Sequence, residues 1–264
     1  MAIATLDQYI AAAKQTLTWV KTPGRVTVAA MPYSAFDLAG NPGAGALAIG
    51  NTANGIVQNS STTGFPTINA FGGGAAGYLS KVNFASTVAC RILLVDRLFS
   101  CGAYTFNAAV TLAGQPSFAS RVPNTDYKGL QIYVEQVTNA TGNQTVTVTY
   151  TDDTGATGHT TGAVGIGAAP LIGRMWQLPL QAGDKGVSII ESVTGLVASA
   201  GTFNVHIVRP LWTGRIPAIA AGDVHDLLKT GLPVVYAASA LWPIIIPDST
   251  ALGVPEMLIE VANA

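Results

Sequence analysis

The chain has 264 residues, of which 49% are hydrophobic and only 10% charged, with a formal net charge of −1 and a mean hydropathy of +0.39. That length can bury a sizeable core without a metal or disulfide staple, and the Lys and Arg residues are scattered singly, which excludes the concentrated basic footprint of a nucleic-acid binder. No apolar run reaches the length of about 18 residues needed to span a bilayer. So few charges leave a surface of apolar and small polar groups, suited to packing against other proteins.

The N-terminal segment predicts an amphipathic helix. Thr5 and Gln8 fit a capping box, and Leu6, Tyr9, Ile10, Ala13, Leu17 and Val20 recur at helical spacing as far as Pro23-Gly24. The opening MAIATLDQYIAAAKQ lacks the basic-then-apolar layout of a signal peptide, which predicts synthesis in the cytoplasm without export. Arg25–Ala30 reads as a strand. The Gly-, Pro- and Asn-rich region Met31–Gly77 carries few charges, so it is expected to be an ordered arm held against a neighbouring surface.

From Tyr78 the pattern changes to period two. Predicted strands cover Val88–Val95, Tyr104–Leu112, Leu130–Val137, Gln144–Tyr150, Met175–Leu180, Gly186–Val193 and Thr202–Val208, separated by turn clusters such as Asp152-Asp153-Thr154-Gly155. Near the end, Asp223–Gly231 predicts a short helix with Asp223 as N-cap, Lys229 in its last turn and Gly231 at its stop. The expected fold is mainly β: an antiparallel sandwich or jelly-roll-like core with an N-terminal helix, a long Gly-rich arm and a short C-terminal helix. Three stretches follow from this, 1–77 for helix and arm, 78–209 for the β core, and 210–264 for a segment packing on the core or on a neighbour.

Candidate chemistry is sparse. Gly72, Gly74 and Gly77 spell the dinucleotide-binding glycine pattern, with Asp96 near the position of a ribose-binding acid. The period-two segment that follows is wrong for the helix such a site needs. Asp152 and Asp153 read as residues of an exposed turn, because adjacent carboxylates in one solvated loop share one environment and cannot split into acid and base. His159, His206 and His225 lie far apart, with His206 read as a half-buried or exposed strand residue. Neither a zinc-protease HExxH nor a GxSxG nucleophile elbow occurs, although a triad assembled from distant positions stays open. Cys90 reads as buried and Cys101 as near a turn, with no cysteine or histidine cluster of zinc-site spacing. No catalytic, cofactor or metal residue is predicted. Trp176, Trp212 and Trp242 read as core or interface anchors rather than a sugar-binding stripe.

The runs MPYSAFDLAGNPGAG from Met31, CRILLVDRLFSCGAYTF from Cys90, GRMWQLPLQAGDKGVSIIESV from Gly173 and TFNVHIVRPLWTGR from Thr202, with GDVHDLLKTGLP from Gly222, resemble virion structural proteins of tailed bacteriophages over nearly the whole chain. Within that class the resemblance implies a head-decoration, or cement, protein. It implies no enzymatic activity, a place in the virion, the major capsid protein as partner, and self-association as a homotrimer. A tail, neck or baseplate component is the alternative in the same class, and a carbohydrate-binding surface module the alternative outside it. The candidate interface is Leu6, Tyr9, Ile10 and Leu17 on the predicted helix, with Trp212 and Trp242, because large apolar and aromatic anchors dominate interface energy.

Overall fold

The structure is a computed structural model that describes residues 3–22, 24–71, 76–107, 109–168, 171–196, 200–250, 252–253 and 255–263. Pro23 and the glycines Gly72 and Gly74 lie outside the described residues. The fold is mainly β, and all strand pairs among the described residues are antiparallel.

A seven-stranded sheet forms the spine. Its two central strands, Cys90–Thr105 and Thr202–Ile216, pair along nearly their full lengths, flanked by Gln131–Thr138 on one side and Leu241–Pro247 on the other. Strands this long bridge two separate packing layers. At one end, Cys90, Ile92, Leu94, Leu211, Trp212 and Ile216 pack on a six-stranded sheet that supplies Leu17, Trp19, Val82, Phe84, Met257 and Ile259. At the other, Phe99, Cys101, Tyr104, Phe203, Val205 and Ile207 pack on a five-stranded sheet that supplies Val146, Val148, Tyr150, Ile190 and Val193. The register between the central strands shifts between Ile207 and Val208 and again between Pro210 and Trp212. Such bulges re-aim side chains, and they fall where one core gives way to the other.

The predicted helix is corrected. The capping box forms as expected, with Thr5 accepting from the Gln8 backbone, but the helix covers only Leu6–Ala11. Ala13–Lys21 is a strand, paired in register with Pro255–Asn263. Leu17 and Trp19 point into the core while β-branched Thr16, Thr18 and Val20 alternate with them, a period of two that the helical spacing had masked. Lys14 stops the helix by donating to the carbonyls of Tyr9, Ile10 and Ala12. The C-terminal helix is also shorter than predicted: Ala221–His225 is a strand, Asp226 rather than Asp223 caps Leu227–Thr230, and Gly231 ends it in the left-handed region at φ 69°. Arg25–Ala30 contributes only the two-residue strand Arg25–Val26.

The three predicted stretches do not separate. Ala76–Ser86 crosses the 77/78 boundary and Thr202–Ile216 crosses 209/210, while the first and last long strands are neighbours in one sheet. The Met31–Gly77 arm also packs on its own chain. Phe36, Leu47 and Phe65 join Val95, Tyr133, Met175, Val208, Trp242 and Ile244 in a third core, on a further face of the spine. Covering that face brings enough apolar contact to offset the entropy of ordering a Gly-rich segment.

Candidate functional site

The cores meet at a charged waist. Asp96 and Arg97, adjacent in the central strand, are fully buried. Asp96 accepts from Arg121 Nη2 at 2.9 Å, the Ala240 backbone at 2.9 Å and Ser239 Oγ at 2.7 Å, with Arg209 Nη2 at 3.4 Å. Arg121 is further held by the carbonyls of Gln58, Arg97 and Ala238. A buried carboxylate is tolerable only with partners of this kind. Asp96 is thus a structural ion-pair centre, and the Ala76–Ser86 strand occupies the place where a dinucleotide-binding helix would have to begin.

Arg97 anchors a second polar chain. Its Nε donates to Ser100 Oγ at 2.9 Å, Ser100 Oγ lies 2.9 Å from His206 Nδ1, and His206 Nε2 lies 3.2 Å from Glu135 Oε2. A guanidinium can only donate. The Ser100 hydroxyl is therefore free to donate to Nδ1, which places the imidazole proton on Nε2, facing Glu135. Burial pushes His206 down to about 4, and the Arg97 charge adds to the shift, so the neutral ring is the folded form. Burial opposes ionisation of Glu135, but the hydrogen bond from His206 and the Arg97 charge outweigh it and hold its pKa below the ordinary value.

Ser100, His206 and Glu135 have the residue types of a nucleophile–base–orienter chain. The sequence left such a distant assembly open, and the fold makes one. All three are at 0% exposure, which corrects the half-buried or exposed reading of His206. The Trp242 ring lies edge-on to His206 at 5.2 Å, and the Arg97 guanidinium stacks on Trp242 at 4.6 Å and Phe36 at 5.1 Å. No substrate atom reaches Ser100 in this conformation, and what the chain provides is fixation of three strands at the waist.

A second histidine–carboxylate group sits at the edge of the five-stranded sheet. His159 Nδ1 lies 2.7 Å from Asp184 Oδ2, which also accepts from the Tyr150 hydroxyl at 2.5 Å. Asp152, His159 and Asp184 bring three potential metal-ligand atoms, two carboxylate oxygens and one imidazole nitrogen, within 4.8 Å of one another. Asp152 is already engaged, accepting from the backbones of Thr154 and Ala156 at 2.8 Å each and from the Thr154 hydroxyl. Burial raises its pKa and these hydrogen bonds lower it further than burial raises it. The turn reading stands in its chemistry, since the carboxylate closes an Asx-type turn. The exposure is corrected, because Asp152 is covered by the turn it closes. Asp153 accepts from the Lys185 backbone at 3.1 Å.

The predicted interface residues divide. Leu17, Trp212 and Trp242 are buried in the chain's own cores and are corrected from interface anchors to core anchors. Trp212 is held there by Phe84 at 4.8 Å and by its indole donating to His225 Nδ1 at 2.9 Å. Tyr9 is half-buried and donates to Glu260. Leu6 and Ile10 are 64% and 66% exposed, on a helix with no buried residue. Ile219 and Leu228, which the sequence did not single out, are 78% and 83% exposed. All four tryptophans lie inside, so none offers a platform for a sugar ring. Both free cysteines are buried, and burial raises both thiols, Cys101 to about 12. The waist residues had one sequence signal: Asp96-Arg97 and Glu135 interrupt otherwise apolar strand runs, where a charge needs a buried partner.

Neither a protein-family profile nor a curated protein sequence matches the chain. Among solved structures, that of the infectious bursal disease virus Gx strain aligns over 95% of this chain and 80% of its own at 10% identity, with a TM-score of 0.16, a level that supports no conclusion about fold or role.

Proposed function

We propose that the chain is a non-enzymatic structural protein of a tailed-phage virion, of the head-decoration kind, which binds the assembled shell through the major capsid protein and associates with itself as a trimer. The observation that carries this reading is the distribution of apolar and reactive groups. The histidine and serine chemistry is sealed or already hydrogen-bonded, whereas Leu6, Ile10, Ile219 and Leu228 stand uncovered on a chain with 10% charged residues. Uncovered large apolar groups on a surface poor in charge are what a subunit held by neighbours presents. The sequence resemblance to virion proteins points the same way.

Mass measurement in solution and co-sedimentation with purified capsid shells test the proposal. The expected result is a trimer that sediments with shells, and a Leu6→Ser/Ile10→Ser double variant that folds but binds less. A folded monomer with no affinity for shells overturns it. Localisation to the tail or neck in a particle reconstruction would move the protein to that part of the virion.

A further inference from the structure

Beside the two-residue strand Arg25–Val26 lies a pocket of about 250 Å³ lined by Arg25, Val26, Asn139, Leu171, Ile172 and Arg174. Its two arginines are not equivalent. Arg25 is paired, donating through Nη2 to Asp37 Oδ1 at 2.5 Å and through Nη1 to the Ile172 carbonyl. Arg174 is only 3% exposed, yet among the described residues no carboxylate faces it: Nη2 donates to the Val26 carbonyl at 3.1 Å, and Nη1 has no partner there. Arg25 Nε likewise has no partner among the described residues. With Asp37 counted, the group carries a net charge of +1. Burial, and then the like charge of Arg25, lower the Arg174 pKa.

An unmatched, buried guanidinium is costly unless an anion or a full set of acceptors meets it. The local backbone holds this one in place. Gly173 sits at φ +75°, its carbonyl accepts from Ser34, its N–H donates to the Gln136 carbonyl, and a Cβ there would come within 3.0 Å of Arg25 Cζ. The Ile172 backbone N–H is fixed by Asn139 Oδ1 at 3.0 Å. The two arginines are thus positioned before any ligand arrives, which lowers the ordering cost of binding. The rim is apolar, with Val26 56% and Leu171 47% exposed.

We infer that this pocket is an oxyanion site, in which Arg174 and Arg25 together hold one carboxylate or phosphate group. Guanidinium donors match the planar or tetrahedral array of oxyanion lone pairs, and hydrogen bonds to such charged acceptors are the strong kind. The inference does not depend on the proposed role in a virion. The anion has two possible sources, inorganic phosphate or the side-chain carboxylate of another protein, and the apolar rim suits a carboxylate flanked by apolar residues.

Thermal unfolding and titration calorimetry on the full chain test the site with two probes: sodium phosphate against sodium chloride at matched ionic strength, and a capped, amidated peptide with one glutamate between leucines. A saturable stabilisation by either probe is expected. Arg174→Gln should weaken binding by about ten- to a hundredfold, the loss of one charged hydrogen-bonding group. Because that variant removes a buried group, Leu171→Glu is the second: it places a carboxylate on the exposed rim and should abolish the response while leaving the fold intact. Preference for phosphate or for peptide identifies the source. A wild-type chain that responds to neither probe, or an equal response in wild type and Leu171→Glu, overturns the site.

Discussion

Three histidines sit beside carboxylates in this molecule, and the surroundings of two of them, His206 and His159, differ in almost every respect. His206 at the waist is sealed, joined to Arg97 through Ser100, and faces Glu135 under a roof of Trp242 and arm residues. His159 at the sheet edge is partly exposed and shares Asp184 with Tyr150. Both pair an imidazole with a carboxylate, but solvent decides what they do. In the sealed cluster the Arg97–Ser100–His206–Glu135 chain has no access to solvent, and removing one member strands its neighbours without water. In the other, water reaches the partly exposed His159 ring and can replace its lost partner. A polar group therefore contributes to stability here in proportion to how little water can substitute for its neighbours.

The sharpest way to break that contrast is at Asp96. Asp96→Ala leaves Arg121 and Arg209 without their carboxylate inside the waist and should destabilise the chain by about 3–5 kcal/mol in denaturant unfolding. A cost under about 1 kcal/mol would mean that water reaches the waist after all.

The next largest effect is in pH. The neutral form of His206 is the folded one, with its pKa lowered from 6.5 to about 4, so the unfolded chain takes up a proton that the folded chain refuses. Stability is fully present above about pH 6.5 and is lost as pH falls through the window down to about 4, by at most about 3 kcal/mol. Glu135, ionised in the fold with a lowered pKa, changes in the same direction at lower pH. Denaturant unfolding at a series of pH values should show this slope in wild type and a flatter one in His206→Gln. Trp242 fluorescence reports on the site directly, since its ring is 5.2 Å from the imidazole.

At the open cluster the effects shrink. Tyr150→Phe removes a hydroxyl that donates to Asp184 and accepts from the Gln181 backbone, and should cost about 1–2 kcal/mol with the ring's packing retained. His159→Gln should fall within about 0.5 kcal/mol of wild type. If it matched His206→Gln in size, solvent access would not be the quantity that separates the two clusters.

Much of the secondary structure was legible before the fold was seen, where a local rule acts alone. The Thr5–Gln8 capping box, the Gly231 stop, the Asp152 turn and most strands from Tyr78 onward depend on neighbours within a few residues. Helix length was not legible in Ala13–Lys21, where Leu17 and Val20 fit a helical face while Leu17 and Trp19 fit a strand, and pairing with Pro255–Asn263 chose the strand. The pocket proposed to bind an oxyanion was invisible for the same reason: Arg25 and Arg174 are distant in the chain and line one pocket only once it is folded.

By itself the sequence determined a mainly β chain, poor in charge, with its turns and caps placed, because alternation, turn chemistry and composition are properties of adjacent residues. Only the tertiary structure decided that the arm closes over its own chain, that Leu17, Trp212 and Trp242 lie inside while Leu6 and Ile10 do not, and that Ser100, His206 and Glu135 meet in a sealed chain. Burial and partner choice are set by strand register across long separations, and a bulge of one residue between Pro210 and Trp212 changes which side chains face which core.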